Sequence, residues 1–413
     1  MQVFHLSHTD LDGYGCQYIA NKVFDNITFF NSNYGKEVTT RLQHICTKID
    51  SQLAQGDISS TLSLLESKFR AKISDKSSDK RTKDSAKSTQ PNDAKSTKSN
   101  KKEFLILITD LNLTLSEAKW LNDKIASYQA NGHSVQALLL DHHISGEECA
   151  KIYEWYHLDD TRCASKITYE TLPNMFLDSG VILDSSASLD NAKNAKNAKK
   201  RENLATLKDF VEMINAVDIW LEDGEYFEFG KVALGMIALS NELNRFMFDE
   251  PHRAYKFALL DFAFEYLPKG AVEFDNAVFM LKKLALNGEP QKETMDSICS
   301  RKQCELLEGM KDKCTIFYGD KKGFLSYGMG GISVLANRFL RQNSDYDFYM
   351  DINMRGLISL RANGECDVSE LSKEAFNGGG HKNAAGGKLD NFKESFAYED
   401  IKSQVQNALQ QIS

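Results

Sequence analysis

The chain has 413 residues, 42% of them hydrophobic, and a formal net charge of −8. This length and composition exclude a disordered protein and allow two ordinary domains with a connecting segment. No apolar run approaches the roughly 18 residues of a membrane-spanning helix, so an integral helical membrane protein is also excluded.

The N-terminus and the cysteines both indicate a cytoplasmic protein. The first residues lack the basic stretch and the apolar run that mark a signal peptide. The eight cysteines include no CxxC pair, and Cys299, Cys304 and Cys314 follow no familiar zinc spacing. We therefore expect reduced, mostly buried thiols.

The charge is unevenly distributed along the chain. Residues 74–102 contain nine Lys or Arg and four Asp, a net of +5, so the remaining residues carry −13. An acidic body of this kind is poorly suited to wrapping long DNA or RNA, which requires a row of cations against the phosphates. If such a body handles phosphates, metal ions have to reverse the local field.

Two low-complexity segments have the composition of insertions. Residues 74–102 consist mainly of Lys, Ser, Asp, Thr and Asn, which predicts a flexible surface loop because they cannot bury enough apolar surface to become ordered. The second insertion is expected at about 185–201, where residues 191–200 read NAKNAKNAKK. This tract is compatible with an extended helix, but its low complexity favours a longer loop.

The N-terminal half alternates strands with helices. Strands are predicted at 3–7, 27–31, 104–109 and 135–140, and helices at 15–23 and 116–130, the latter ended by Asn131 and Gly132. This rhythm predicts an α/β fold in which a parallel sheet has helices on both faces.

The C-terminal half has a different pattern. Residues 204–311 show almost continuous helical periodicity. Short strands return at 315–318, 324–327, 348–354 and 357–361, accompanied by helices at 332–342 and 401–411. We therefore predict a catalytic domain at 1–225, a helical connector at 226–312 and a smaller α/β domain at 313–413.

Acidic and imidazole side chains follow three of the predicted strands. In chain order they are His8, Asp10 and Asp12, then Asp110, then Asp141, His142 and His143. Because the carboxyl ends of parallel strands form one crevice, we expect these side chains to lie together. Asp218, a carboxylate within an apolar stretch, is expected to complete the cluster.

Carboxylates and imidazoles without a thiolate favour two divalent cations, Mn²⁺ first, with Fe²⁺ or Co²⁺ as alternatives. Asp10 and Asp12 also admit a simpler interpretation, as a helix N-cap and a turn residue. The recurrence of such groups at three strand ends favours the metal site.

These motifs resemble those of the DHH phosphoesterase superfamily. The matching residues are His8, Asp10, Asp12 and Gly13 in the first motif, Asp110 in the second, Asp141, His142 and His143 in the third, and Asp218 in the fourth. The run GGGHKNAAG at 378–386 resembles the signature of the DHH-associated domain and is the most specific match. The resemblance covers most of the chain outside the two insertions, and the opening HLSHTDLDGYGCQ looks closest to the NrnB-type nano-RNases.

The resemblance implies the role of each residue. One metal would be held by His8, Asp10 and Asp110, and the other by Asp12, Asp110, His142 and Asp218, with Asp110 as the bridge. Asp141 would orient an imidazole, and His143 would face the substrate phosphate.

The glycine run predicts a phosphate-binding backbone in the second domain. Gly378, Gly379 and Gly380 allow a close approach, so that successive amides can bind a phosphate beside His381. A plain flexible turn is the simpler alternative. Arg361 lies in a strand before the run and suits bidentate phosphate contact, although a surface salt bridge is an alternative use.

The resemblance implies a phosphodiesterase that hydrolyses short oligonucleotides or dinucleotides to mononucleotides by in-line attack of a metal-activated water. The chain has no convincing Ser–His or Cys–His arrangement, as expected for a reaction without a protein nucleophile. The active site would lie in the cleft between the two domains, with the scissile phosphate at the metals and the far end of the substrate at residues 378–381.

Other functions stay open. A pAp phosphatase, a cyclic-dinucleotide phosphodiesterase, an exonuclease for longer substrates and a pyrophosphatase are rivals within the same chemistry. A metal-dependent nucleotide-binding regulator without catalysis belongs to another class, and the complete ligand set argues against it. We expect no membrane partner, and a homodimer is left open.

Overall fold

The computed structural model of the chain describes residues 1–75, 102–177, 187–364 and 366–411. The chain divides into two compact units: unit 1 comprises residues 1–8 and 23–160, and unit 2 comprises residues 9–22 and 161–413. The predicted domain boundaries after residues 225 and 312 remain predictions.

The described residues of unit 1 form five strands. They are β1 (Gln2–Ser7), β2 (Ile27–Asn31), β3 (Glu103–Thr109), β4 (Ser134–Asp141) and β5 (Tyr156–Leu158). All pairings are parallel, in the order β2-β1-β3-β4-β5. The four strands predicted for this half of the chain are confirmed. Each begins and ends within one residue of the predicted position.

The helices, in chain order, are α1 (Leu11–Val23), α2 (Lys36–Asp75), α3 (Leu115–Ala130), α4 (Glu147–Ile152), α5 (Ala164–Phe176), α6 (Ala187–Ala205), α7 (Lys208–Asp218), α8 (Phe227–Ala238), α9 (Asp249–Tyr266), α10 (Ala271–Ala285), α11 (Met295–Glu308), α12 (Lys311–Cys314), α13 (Ser333–Gln342), α14 (Val368–Phe376) and α15 (Tyr398–Gln410). Among the described residues, none of these helices combines the length and the apolar content that crossing a bilayer requires.

The apolar strands β3 and β4 form the centre of unit 1. In β3 every residue after the first is buried, as expected for a strand covered on both faces. The core joins residues of β1, β3 and β4 to the inner faces of α2 and α3. A capping box starts α3, since the Thr114 hydroxyl accepts from the Glu117 N–H and the Glu117 carboxylate accepts from the Thr114 N–H.

Unit 2 combines helices with a second, mixed sheet. Its strands are β6 (Thr315–Tyr318), β7 (Lys321–Tyr327), β8 (Phe348–Ile352), β9 (Leu357–Ala362), β10 (Gly379–His381) and β11 (Ala384–Lys388). The order is β10-β11-β9-β8-β7-β6, in which only β7 and β8 pair in parallel. The smaller C-terminal α/β domain and the helical character of residues 204–311 are therefore confirmed.

The low-complexity tract at 191–200 corrects one expectation. It lies within α6 rather than in a loop, so the helical alternative is the right one. Ala and Lys have high intrinsic helix propensity, and the tract contains no Gly or Pro to interrupt them. In the other predicted insertion, residues 74 and 75 end α2, and residues 76–101 lie outside the described part of the chain.

The glycine run forms an ordered hairpin rather than a flexible turn. Strand β10 is antiparallel to β11, with Lys382 and Asn383 between them. A side chain at Gly378 would overlap the carbonyl oxygen of Gly386 and the hydroxyl of Ser372. The backbone of residue 378 therefore lies too close to β11 and α14 to carry a side chain, which explains why glycine occupies this position.

We predict that Gly378→Ala destabilises the C-terminal sheet by about 1–3 kcal/mol, since the added methyl group has no space. Gly379→Ala is the matched control, because a methyl group there would meet no described atom within 4 Å. Thermal melting of both variants checks this expectation. Equal midpoints for the two variants would contradict the packing argument.

Candidate metal centre

The edge of the sheet in unit 1 brings together residues that the sequence places far apart. The chain passes from β1 to β2 on one side of the sheet and from β3 to β4 on the other, and open α/β sheets bind ligands at such a switch point. His8 follows β1, Asp110 follows β3, and His142 and His143 follow β4. All four therefore start from the carboxyl ends of three neighbouring strands.

Asp110 has an unusual backbone conformation. Its φ angle is 55°, in the left-handed region that non-glycine residues seldom adopt, although Asp tolerates it better than most. The residue is 1% exposed, and its N–H donates to the Leu140 carbonyl oxygen at the end of β4. Such strain persists where the surrounding structure enforces it, often at functional sites.

Two imidazoles lie on either side of the Asp110 carboxylate. Nδ1 of His8 is 3.7 Å from Oδ2, and Nε2 of His142 is 3.4 Å from Oδ1. Asp110, His142 and His143 also each offer a ligand atom within 4.8 Å of the others. The chemistry of this set, carboxylate oxygen with imidazole nitrogen, fits divalent cations of the Mn²⁺, Fe²⁺ and Co²⁺ class.

Asp141 and Tyr34 hold the imidazole ring of His143 from both sides. Nδ1 of His143 lies 2.7 Å from Oδ1 of the fully buried Asp141, whose other oxygen accepts from the Tyr156 hydroxyl at 3.2 Å. Burial and the nearby Asp141 raise the pKa of Tyr156, which keeps the phenol a donor. On the other side, the Tyr34 hydroxyl lies 2.9 Å from Nε2 of His143.

Buried hydroxyls join the strands directly beneath this cluster. The Thr109 hydroxyl lies 2.7 Å from the Ser7 hydroxyl and 2.8 Å from Nε2 of His5. Thr109 immediately precedes Asp110, and Ser7 immediately precedes His8. These bonds between β1 and β3 therefore fix the strand ends from which the two ligand candidates project.

In unit 2, Asp10 and Asp12 also have structural partners. Oδ1 of Asp10 accepts from the Gly13 N–H at 2.9 Å, so Asp10 caps α1, as the simpler interpretation proposed. The Asp12 carboxylate is 1% exposed and accepts from the N–H groups of Ala164 and Ser165, at 2.7 and 2.8 Å. The N-terminus of α5 thus stabilises Asp12 as an anion.

Asp218 lies close to Asp12 at the end of α7. Asp12, Asp218 and Cys163 each offer one ligand atom within 4.8 Å of the others. Burial, followed by the charges of Asp12 and Asp10, raises the pKa of Asp218 to about 8. Burial, followed by the charges of Asp12 and Asp218, raises the pKa of Cys163 well above its usual value. Concentrated negative charge of this kind fits a bound divalent cation.

In the second predicted site, Arg361 and His381 lie in one register row, meaning that they are aligned across three neighbouring strands. Ala384 of β11 pairs with His381 on one side and with Arg361 on the other. Residues directly opposite in neighbouring strands project to the same face of a sheet. His381 is exposed, and Arg361 donates to the Ser333 hydroxyl at 2.9 Å.

Two residues beside the candidate ligands, one in each unit, were not predicted from the sequence. Tyr34 follows β2, and the rule that ligand groups follow strands would have found it if it had been applied to aromatic side chains. Cys163 precedes α5 as a single cysteine, and a single cysteine carries no spacing signal. Seven of the eight cysteines are buried, as predicted, and Cys299 is partly buried.

Comparisons with known proteins place the chain among phosphodiesterase relatives. A 3',5'-cyclic-nucleotide phosphodiesterase from Helicobacter pylori (strain ATCC 700392 / 26695) is 46% identical over 408 residues, covering 98% of each chain. The crystal structure of an uncharacterized protein from Helicobacter pylori G27 matches with a TM-score of 0.79 at 45% identity, covering 100% of this chain and 99% of the other. No protein-family model matches.

We predict that Asp110→Asn weakens Mn²⁺ binding by at least about a hundredfold, since loss of a ligand should cost no less than loss of its outer partners. Asparagine keeps the size of the side chain and tolerates the left-handed backbone, so the fold should be retained. Titration calorimetry with Mn²⁺ measures the affinity, and melting in EDTA measures stability. Asp123→Asn, at an exposed site on α3, is the control. Unchanged Mn²⁺ affinity in Asp110→Asn would contradict the assignment.

Proposed function

We propose that this chain, which belongs to the DHH phosphoesterase superfamily, is a divalent-cation-dependent phosphodiesterase acting on small nucleotides. The observation that carries the proposal is the buried Asp110 carboxylate between His8 and His142 at the switch point of a parallel sheet. Its relative with 46% identity, named as a 3',5'-cyclic-nucleotide phosphodiesterase, supports the same reaction class.

The residues proposed to hold the cations are those that the sequence motifs suggest. They are His8, Asp110 and His142 in unit 1, and Asp10, Asp12 and Asp218 in unit 2. When bound, the cations would supply Lewis-acid activation of a water molecule and neutralise charge on the phosphoryl oxygens. Mn²⁺ is our first choice, because the proposed donors are oxygen and imidazole nitrogen.

Hydrogen bonding determines where His143 carries its proton. An ionised carboxylate only accepts, so Asp141 requires the proton on Nδ1 of His143. In the neutral ring, Nε2 then accepts from the Tyr34 hydroxyl. This arrangement supports a role in which His143 faces the phosphate. To protonate the leaving oxygen, Nε2 would first take up a proton and exchange its contact with Tyr34 for one with the substrate. Asp141 would hold the ring in the productive orientation.

The preferred substrate is a 3',5'-cyclic nucleotide. This class was not among those weighed from the sequence, and the named activity of the relative supports it. Such a substrate has a single phosphate, so one cluster of ligands is sufficient to bind it. Hydrolysis would open the cyclic diester to a nucleoside monophosphate.

Short linear oligonucleotides are the second candidate. The register row of His381 and Arg361 favours them, because it presents an imidazole and a guanidinium on one face of a second sheet. Such a pair suits a further phosphate or a free end of a longer substrate.

Turnover by the purified protein with Mn²⁺ tests these proposals. We expect hydrolysis of 3',5'-cyclic AMP or GMP, loss of activity with EDTA, and slower turnover of the monoester pAp. A 5'-phosphorylated dinucleotide and a cyclic dinucleotide, assayed in parallel, rank the second candidate and its rival. Exclusive hydrolysis of pAp would identify a phosphatase instead, and nucleotide binding without any turnover would identify a regulator.

We further predict that His381→Ala raises KM for the 5'-phosphorylated dinucleotide more than for the cyclic mononucleotide, with bound Mn²⁺ unchanged. The expected difference is about tenfold, the loss of one charge-assisted contact. The exposed His157 on β5 provides the control variant His157→Ala. Loss of metal, or an equal effect on both substrates, would exclude a role for His381 at the far end of the substrate.

A further inference from the structure

Tyr34 lies against the histidines of the candidate metal centre. Its ring centroid is 4.6 Å from that of His8 and 5.6 Å from that of His143. Its hydroxyl is 2.9 Å from Nε2 of His143. The residue nevertheless remains 45% exposed, so solvent reaches Tyr34 beside the cluster.

The loop that carries Tyr34 is held by hydrogen bonds on both sides. Before it, the Asn31 amide donates to the His8 carbonyl oxygen at 2.9 Å, and the Ser32 N–H donates to the Ser7 carbonyl oxygen at 3.0 Å. The Asn33 N–H donates to the buried Glu37 carboxylate at 3.0 Å.

After Tyr34, Gly35 provides the turn into α2. It has a φ of 84°, a conformation that glycine adopts without strain, and its carbonyl oxygen accepts from the Val38 N–H at 3.0 Å. Tyr34 is therefore presented by a fixed backbone rather than by a loose loop, which favours a preorganised contact.

An exposed aromatic ring beside a phosphate-handling cluster has a specific use when the substrate is a nucleotide. A single sugar joins the base to the phosphate, so a phosphate at His143 brings the base within reach of a neighbouring side chain. Aromatic side chains bind bases by stacking, which tolerates any base because every base has a π face.

We propose that Tyr34 determines specificity for nucleotides by stacking its ring on the nucleobase, while its hydroxyl holds His143. The stacking role rests on the proposed function, since it presumes that a nucleotide phosphate binds at the adjacent cluster. It predicts a preference for phosphates that carry a base over phosphates that do not, with little discrimination among bases.

Two substitutions separate the ring from the hydroxyl. Tyr34→Phe keeps the ring and removes the bond to His143, whereas Tyr34→Leu removes both. Phe279→Leu, at a 61% exposed aromatic residue on α10, is the matched control.

Binding of products by the Mn²⁺-loaded protein gives a readout independent of turnover. The paired ligands are 5'-AMP and ribose 5-phosphate, which differ in the base. We expect Tyr34→Leu to weaken 5'-AMP binding about tenfold to a hundredfold and to leave ribose 5-phosphate within about twofold. Tyr34→Phe should bind both ligands as the wild type does, and Phe279→Leu should be unchanged.

Steady-state kinetics give a second readout. For 3',5'-cyclic AMP, Tyr34→Leu should raise KM, whereas Tyr34→Phe should chiefly change kcat through His143. Equal loss of 5'-AMP and ribose 5-phosphate binding in Tyr34→Leu, or no loss of either, would overturn the stacking proposal. If the wild type hydrolyses no diester yet 5'-AMP binding depends on the Tyr34 ring, the proposed function fails and the stacking role stands.

Discussion

The chemistry of unit 1 depends on one costly constraint, a carboxylate buried at the end of the central strand. Asp110 is 1% exposed and lies in the left-handed backbone region. Both features are unfavourable unless something compensates them, because a buried charge requires partners and this conformation costs about 1–2 kcal/mol. The bond from its N–H to Leu140 and the imidazoles of His8 and His142 are the compensation that the structure provides. A divalent cation would add the remaining positive charge.

The carboxylates of unit 2 follow the same principle with different partners. By sequence, Asp10 and Asp12 suit either metal ligation or a capping or turn role, and the structure gives both of them hydrogen bonds at helix N-termini. These roles are compatible with ligation, since each carboxylate oxygen has two lone pairs. Asp218 differs, because its burial beside two other carboxylates raises its pKa to about 8. A nearby cation would favour its ionised form.

Much of the fold could be predicted because apolar runs and helical periodicity are local signals. The buried strands of unit 1 and the cluster formed by Asp110 and His142 follow from these signals and from the geometry of a parallel sheet. Other features depend on tertiary contacts that a sequence does not display. The pairing of β10 with β11, the position of Tyr34 against His8, and the proximity of Cys163 to Asp12 belong to this group. The repetition of the tract at 191–200 indicates a loop, whereas the helix propensity of Ala and Lys agrees with the helix that it forms.

The central claim is that the carboxylate and imidazole side chains at this sheet edge bind divalent cations. Anomalous diffraction from crystals of the wild-type protein grown with Mn²⁺ tests it most directly. We predict an anomalous peak about 2.0–2.3 Å from the Asp110 carboxylate and the His142 imidazole, the usual range for bonds to such ligands. Well-ordered Asp110 and His142 side chains without a peak between them, at saturating Mn²⁺, would contradict the account.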